Sequence, residues 1–240
     1  MDSESSLISH LEALRSMLLK MLLATAIMYP VGYVACPYLI DALVKWCCPP
    51  SIGVLHYFAP MEVFFVKLKL ALVLALVLAY PWNICQLWKF LLPALYEGER
   101  RALKYWLLSA SLLFVMGVAF CIGFILPMLM RFSGGFATME LRPMLGLSSF
   151  ISLSGWLMFA FGLMFQVPML VLVAVRFGLV SYESLRRKRP YVMVLILVLA
   201  AILTPPDVVS QLMLAIPTWL LFEIGLLVSK RVEKKNNGQT

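Results

Sequence analysis

Charge is scarce in this chain, and histidine scarcer still. Of 240 residues only 13% are charged and two are histidine, against about 25% charged residues in soluble globular domains. The bases outnumber the acids, 20 to 12, for a formal charge of +8. They sit at the ends of apolar runs and not in one stripe with aromatic partners, so the charge does not read as a nucleic-acid interface. The two histidines, His10 and His56, belong to opposite sides of a membrane in the reading below. No Cys/His cluster has ligand spacing, so neither a metal nor a cofactor is expected. A phosphate-binding glycine loop, a nucleophile elbow and a zinc-protease helix are all missing. No histidine lies in an apolar span, which denies Ser152, Ser154 and Ser210 a Ser-His dyad. No enzyme is expected.

What the chain has in excess is hydrocarbon. Hydrophobic residues make up 62% of it, against about 45–50% in globular proteins, and several runs are long enough to cross a bilayer. The expected fold is an all-α polytopic membrane protein of six transmembrane helices, the last two short and joined by a Pro-Pro turn. The spans read as about Met17–Leu39, Phe64–Ile84, Tyr105–Pro127, Phe150–Val175, Tyr191–Thr204 and Val208–Val228. Residues 1–16 form an amphipathic cytoplasmic lead-in, 17–229 one six-helix domain, and 230–240 a basic cytoplasmic tail. Asp2, Glu4 and Glu12 stand where a cleavable signal peptide would be basic, so the first span is expected to be retained.

The fifth span carries most information. Arg186-Arg187-Lys188-Arg189-Pro190 bounds it on one side and Thr204-Pro205-Pro206-Asp207 on the other. About 14 residues remain, roughly 21 Å of helix against a hydrocarbon core of about 30 Å. Proline cannot continue a helix, so Pro205-Pro206 ends one span and presets the next, while Asp207 has no place in hydrocarbon. With six spans, every basic residue except Lys45, Lys67, Lys69, Arg131 and Arg142 falls on one side. That asymmetry puts both termini in the cytoplasm.

The remaining polar groups are few. Cys85 and Cys121 are expected as small packing residues. Cys36, Cys47 and Cys48 lie on the outer side, where a bridge from Cys36 to one of the other two is open. On the residues alone, Glu99 is a solvated loop carboxylate that begins the third helix. Glu12 and Arg15 lie on the interfacial lead-in. Gln166, deep in the fourth span, should face protein, water or a ligand. Gln211 is similar, unless it or Ser210 caps the Pro-Pro turn. Glu223 snorkels to the headgroups or pairs with Lys230 or Arg231.

Taken together, several fragments resemble the TatC family of the twin-arginine protein translocase over nearly the whole chain. They are His10-Leu11 with Leu14-Arg15; Pro60-x-Glu62-x-Phe64 with Lys69; Gln86-x-Trp88-x-Phe90-x-x-Pro93-x-Leu95 with Glu99-Arg100-Arg101; Phe161-Gly162-Leu163 with Phe165 and Pro168; and Arg187-Lys188-Arg189-Pro190-Tyr191 leading to Thr204-Pro205-Pro206-Asp207 and Ser210-Gln211.

The resemblance implies a receptor subunit in the bacterial cytoplasmic membrane. Such a subunit binds paired-arginine signal peptides and works with the single-span subunits TatA and TatB in a hetero- and homo-oligomer. The assembly exports folded proteins on the proton-motive force. Glu99, Phe90, Glu12 and Arg15 would form the signal-peptide site, and Gln166, Thr204 and Gln211 an intramembrane polar site for a partner helix. Two departures stand out. The family pattern places a glutamate at position 13, where this chain has Ala13, with Glu12 about 100° away around the helix. Glu12 is nevertheless expected to reach the arginines by a roll of the lead-in helix. Gln166 occupies a site where the family often has glutamate, which leaves hydrogen bonding but no proton relay. A small secondary transporter is the alternative, although the halves before and after about residue 120 show no repeat symmetry.

Overall fold

The computed structural model describes residues 2–47, 55–91, 100–135, 145–204 and 207–237, with side chains over 10–47, 55–90, 105–135, 145–204 and 207–231. Those residues are nearly all helical. The helices are α1 (Asp2–Cys47), α2 (Glu62–Leu91), α3 (Arg100–Phe120), α4 (Leu126–Gly134), α5 (Leu147–Met164), α6 (Val167–Arg176), α7 (Tyr182–Arg187), α8 (Arg189–Leu203) and α9 (Val208–Asn237). Five stretches are long and apolar enough to cross a membrane: His10–Cys47, Glu62–Phe90, Tyr105–Gly134, Leu147–Arg176 and Val208–Arg231. The 15-residue α8 is a sixth, shorter apolar helix.

The chain divides into two compact units, residues 1–112 with 142–155, and 113–141 with 156–240. The first is organised by the antiparallel packing of α1 on α2. Apolar side chains gain little by leaving lipid for one another, so close backbone approach has to supply the contact. Gly32 supplies it here, since a Cβ at that position would stand 2.7 Å from the carbonyl oxygen of Ala71. On either side of it, the Cys36 thiol donates to the Lys67 carbonyl at 3.4 Å and the Tyr29 hydroxyl to that of Leu68 at 3.4 Å. Nearer the amino terminus of α1, the Asn83 amide donates to the Thr25 hydroxyl at 3.4 Å. Cys36 and Cys47 are not bridged to each other, and Cys48 lies outside the described residues.

Helix α1 has 46 residues and no break, about 69 Å of helix against the roughly 40–45 Å of a whole bilayer. Residues 2–16, read from sequence as a lead-in, are therefore continuous with the first span. At the far end of the pair, two loop segments are stitched together. His56 N–H donates to Leu145 O (3.0 Å) and Leu147 N–H to His56 O (2.8 Å). The Glu62 carboxylate accepts from the backbone N–H groups of Phe58 (2.6 Å), Ala59 (3.3 Å) and Ser148 (3.0 Å).

In the second unit the third span does not stop at Pro127. The helix passes through a π-helical turn, Cys121–Ile125, in which Leu126 N–H donates to Cys121 O, and resumes as α4 with proline in its first turn. A proline has no N–H to give, so a widened turn just before it keeps the backbone helical. Phe120 anchors this turn among Phe124, Phe161 and Phe165, with ring centroids 5.5, 6.0 and 5.6 Å away. Gly117 lets α3 meet α5, since a Cβ there would lie 2.5 Å from the Phe161 carbonyl.

The fourth span, read as about Phe150–Val175, is found over Leu147–Arg176, with its helix interrupted between Met164 and Val167. Pro168 is the cause: four residues after Met164, it cannot donate to that carbonyl. The chain tightens through Gln166 N–H to Leu163 O (2.9 Å) and restarts with Leu170 N–H to Gln166 O (2.9 Å).

Candidate functional site

The end of α2 carries the first sequence-expected site residue, and α1 brings an aromatic ring to it. Phe90 lies 4.8 Å from the ring of His10, centroid to centroid. Helical geometry gives the reason. At about 100° per residue, His10, Leu14, Met17 and Met21 fall within about 40° of one direction on α1 and Thr25 within about 60°. Met17 is buried and Thr25 bonds to α2, so this stripe is the side of α1 that packs on α2.

On the same reckoning Glu12 lies about 160° from His10 and Arg15 about 140°. Both are exposed. The structure thus joins His10 to Phe90 and sets Glu12 and Arg15 on the other side of α1. The roll expected of the lead-in would turn all of α1, because no break separates the two. Ala13, about 60° from His10, is closer to the Phe90 side. Glu99 lies outside the described residues. His10 was missed as a site residue. Its spacing of seven from Met17, itself within the first apolar run, was the available signal.

The intramembrane residues divide into two places. The Thr204 hydroxyl donates to Ala200 O at 2.8 Å and the Gln211 side-chain amide to Leu197 O at 3.1 Å, so both bind the last turns of α8. Thr204 is buried. Among the described residues, neither Gln211 nor the Ser210 side chain makes the alternative cap. Asp207 does, its Oδ1 accepting from Ser210 N–H at 2.6 Å, as aspartate before a helix commonly does. Asp207 itself is exposed, and Pro205 and Pro206 lie outside the described residues.

Gln166 is buried in the break between α5 and α6. Two residues on, Pro168 packs against α9 at Gly225, where a Cβ would come within 2.8 Å of Pro168 Cα. Fourteen residues of α9, about 21 Å, separate Gly225 from Gln211. Gln166 is therefore not in one cluster with Thr204 and Gln211.

Glu223 also corrects the sequence reading. Its carboxylate pairs with Arg189 at 2.7 Å, from the start of α8, and not with Lys230 or Arg231. Two part-buried side chains in such a charge-assisted contact tie the entry of α8 to α9. Among the described residues, no group of three or more His, Cys, Asp or Glu is placed to hold a metal ion.

Apolar helices of bilayer length, few charged groups along them, and close glycine contacts between helices define a multi-pass helical membrane protein. Comparison with known proteins gives the family. The model of TatC, Sec-independent protein translocase protein, matches residues 9–217. The Sec-independent protein translocase protein TatC of Haemophilus influenzae is 33% identical over 242 residues, covering 98% of this chain and 93% of that protein. Its counterpart in Escherichia coli K12 is 35% identical over 235 residues, covering 95% and 90%. Two crystal structures of the twin-arginine translocase receptor TatC superpose with a TM-score of 0.83, at 31% and 32% identity, and are covered to 99% of their length. The chain belongs to the TatC family and is a component of a Sec-independent protein translocase.

Proposed function

We propose that this chain is the signal-recognition subunit of a twin-arginine translocase in a bacterial cytoplasmic membrane, with both termini in the cytoplasm. It binds the paired-arginine signal peptides of folded precursors and, with TatA and TatB, exports them on the proton-motive force. One observation carries the reading: the end of the α1–α2 pair presents the Phe90 ring on His10, nine residues before Glu99 in the chain. A guanidinium stacks on an aromatic face and forms charge-assisted hydrogen bonds with a carboxylate, and Phe90 with Glu99 offers both. The similarity to solved structures of a twin-arginine translocase receptor supports the same reading.

In this site Glu99 and Phe90 are the principal contacts. Glu12 and Arg15, across α1, face the flanks of a bound peptide. Gln211 on the α8–α9 hairpin, with the buried Thr204 closing the end of α8, forms the surface for a TatA or TatB helix, while Gln166 has a separate place in the second unit. Crossing by α8 gives an even number of spans and keeps the basic tail on the side of the amino terminus.

The test is site-specific crosslinking. A photoreactive residue at position 90 of the purified chain in nanodiscs should capture a twin-arginine signal peptide and should lose most of the product when both peptide arginines become lysine. Glu99→Gln should abolish capture in a stably folded protein. Equal capture of the arginine and lysine peptides rejects the reading.

A further inference from the structure

Helix α7 and the end of α9 gather a second charged surface that signal recognition does not use. The Lys230 ammonium lies 5.9 Å from the centre of the Tyr182 ring. Arg186, four residues after Tyr182, shares its face of α7, because residues four apart are neighbours on a helix. Arg187 and Lys188 follow Arg186 in the chain, Arg231 follows Lys230, and all five cations are exposed. Two described acids stand among them. Glu183 is exposed, and Glu223 is occupied by Arg189. The local balance is strongly positive.

Apolar surface begins directly beside these cations. Tyr191, one residue past Pro190, is 75% exposed, and Val194 and Leu195 follow it along α8. On α9, Leu227 and Val228 are exposed within three residues of Lys230. A ligand that satisfies the whole surface needs an anionic group for the cations and hydrocarbon for the helices. Free phosphate would satisfy only the first part.

We propose that Arg186 and Lys230, flanked by Arg187, Lys188 and Arg231, hold the phosphodiester headgroup of an anionic phospholipid whose acyl chains lie along the start of α8 and the end of α9. Helix α8 supplies the reason for a dedicated site. Its 15 residues span about 22 Å against a core of about 30 Å, so its basic end is drawn toward the hydrocarbon. A bound anionic headgroup neutralises that end. The Arg189–Glu223 pair removes one competing carboxylate, which leaves the exposed Glu183 as the other described acid beside five cations.

The experiment uses the full chain in nanodiscs of phosphatidylcholine with about one fifth phosphatidylglycerol, and native mass spectrometry to count retained lipids. A surface cation contributes close to a fivefold preference for anionic lipid, about 1 kcal/mol. Arg186→Gln with Lys230→Gln should therefore lower retention of phosphatidylglycerol by roughly ten- to twenty-fivefold, beside an unchanged thermal unfolding midpoint. Arg186→Lys with Lys230→Arg should restore retention, and Arg131→Gln should leave it unchanged. Three results overturn the proposal: equal retention of phosphatidylcholine and phosphatidylglycerol by the unaltered chain, full retention by the double Gln variant, or displacement of the lipid by millimolar inorganic phosphate. The last would make the site one for a free anion.

Discussion

Placing a carboxylate at position 13 should strengthen signal-peptide binding, while removing the one at position 12 should hardly weaken it. Glu12 points about 160° away from the His10 and Phe90 side of α1, on a helix about 10–12 Å across with its side chains. A guanidinium seated on Phe90 would therefore lie roughly 12 Å from the Glu12 carboxylate, beyond the screening length of about 8 Å at physiological salt. Even unscreened, two charges that far apart in water interact by only about 0.3 kcal/mol. A glutamate at position 13 would project about 60° from His10 and could approach the guanidinium to about 4 Å, where an exposed pair is worth up to about 1 kcal/mol.

Ala13→Glu should accordingly lower the Kd for a twin-arginine peptide by up to about fivefold, and Glu12→Gln should raise it by less than about twofold. Glu12→Ala combined with Ala13→Glu should bind more tightly than the unaltered chain. Fluorescence anisotropy of a labelled peptide, titrated at low and at physiological salt, reads all three. A fivefold loss in Glu12→Gln, or no gain in the combined variant, would refute this placement of Glu12 on α1.

Breaking the part-buried ion pair by Glu223→Ala should cost about 1–3 kcal/mol by leaving Arg189 without its partner, and a double-mutant cycle with Arg189→Leu in thermal unfolding should recover part of the loss. Removing the cap of α9 by Asp207→Ala should cost about 0.5–2 kcal/mol, while Asp207→Asn should cost much less. Adding a methyl group by Gly117→Ala, where a Cβ meets the Phe161 carbonyl at 2.5 Å, should destabilise the fold by about 1–3 kcal/mol in the same assay. A cysteine at Val208, in a background free of native cysteines, should react with an impermeant thiol reagent from outside the cell. Reaction only from the cytoplasmic side would reject an α8–α9 hairpin open to the outside.

The positions of the helices were legible in the sequence because unbroken apolar runs leave few alternatives in lipid. Their breaks were less so. Pro127 and Pro168 are both visible in the chain, yet one is absorbed by a π-helical turn and the other splits a helix. The difference lies in which carbonyls find other donors. Partner choice was hidden for a simpler reason. Lys230 and Arg231 are seven and eight residues from Glu223, about two turns along the same helix, but Arg189 reaches it from 34 residues away. The meeting of His10 and Phe90 depends on how α1 lies against α2, which no local pattern encodes. Glu62 was noticed only as part of a family motif, and its role in joining two loops needed Ser148 in view.

The α1–α2 pair behaves mechanically as a single beam. It is pinned at one end by the Glu62 carboxylate, gripped in the middle at Gly32, and faced at the other end by His10 and Phe90. From Glu62 to Phe90 the beam is about 42 Å long. A tilt of only about 7° about the pinned end would carry Phe90 through about 5 Å, as far as the ring spacing of the aromatic pair itself. Pressure from a docked peptide at one membrane face would then arrive at the opposite face as a change of angle, with no helix having to unfold.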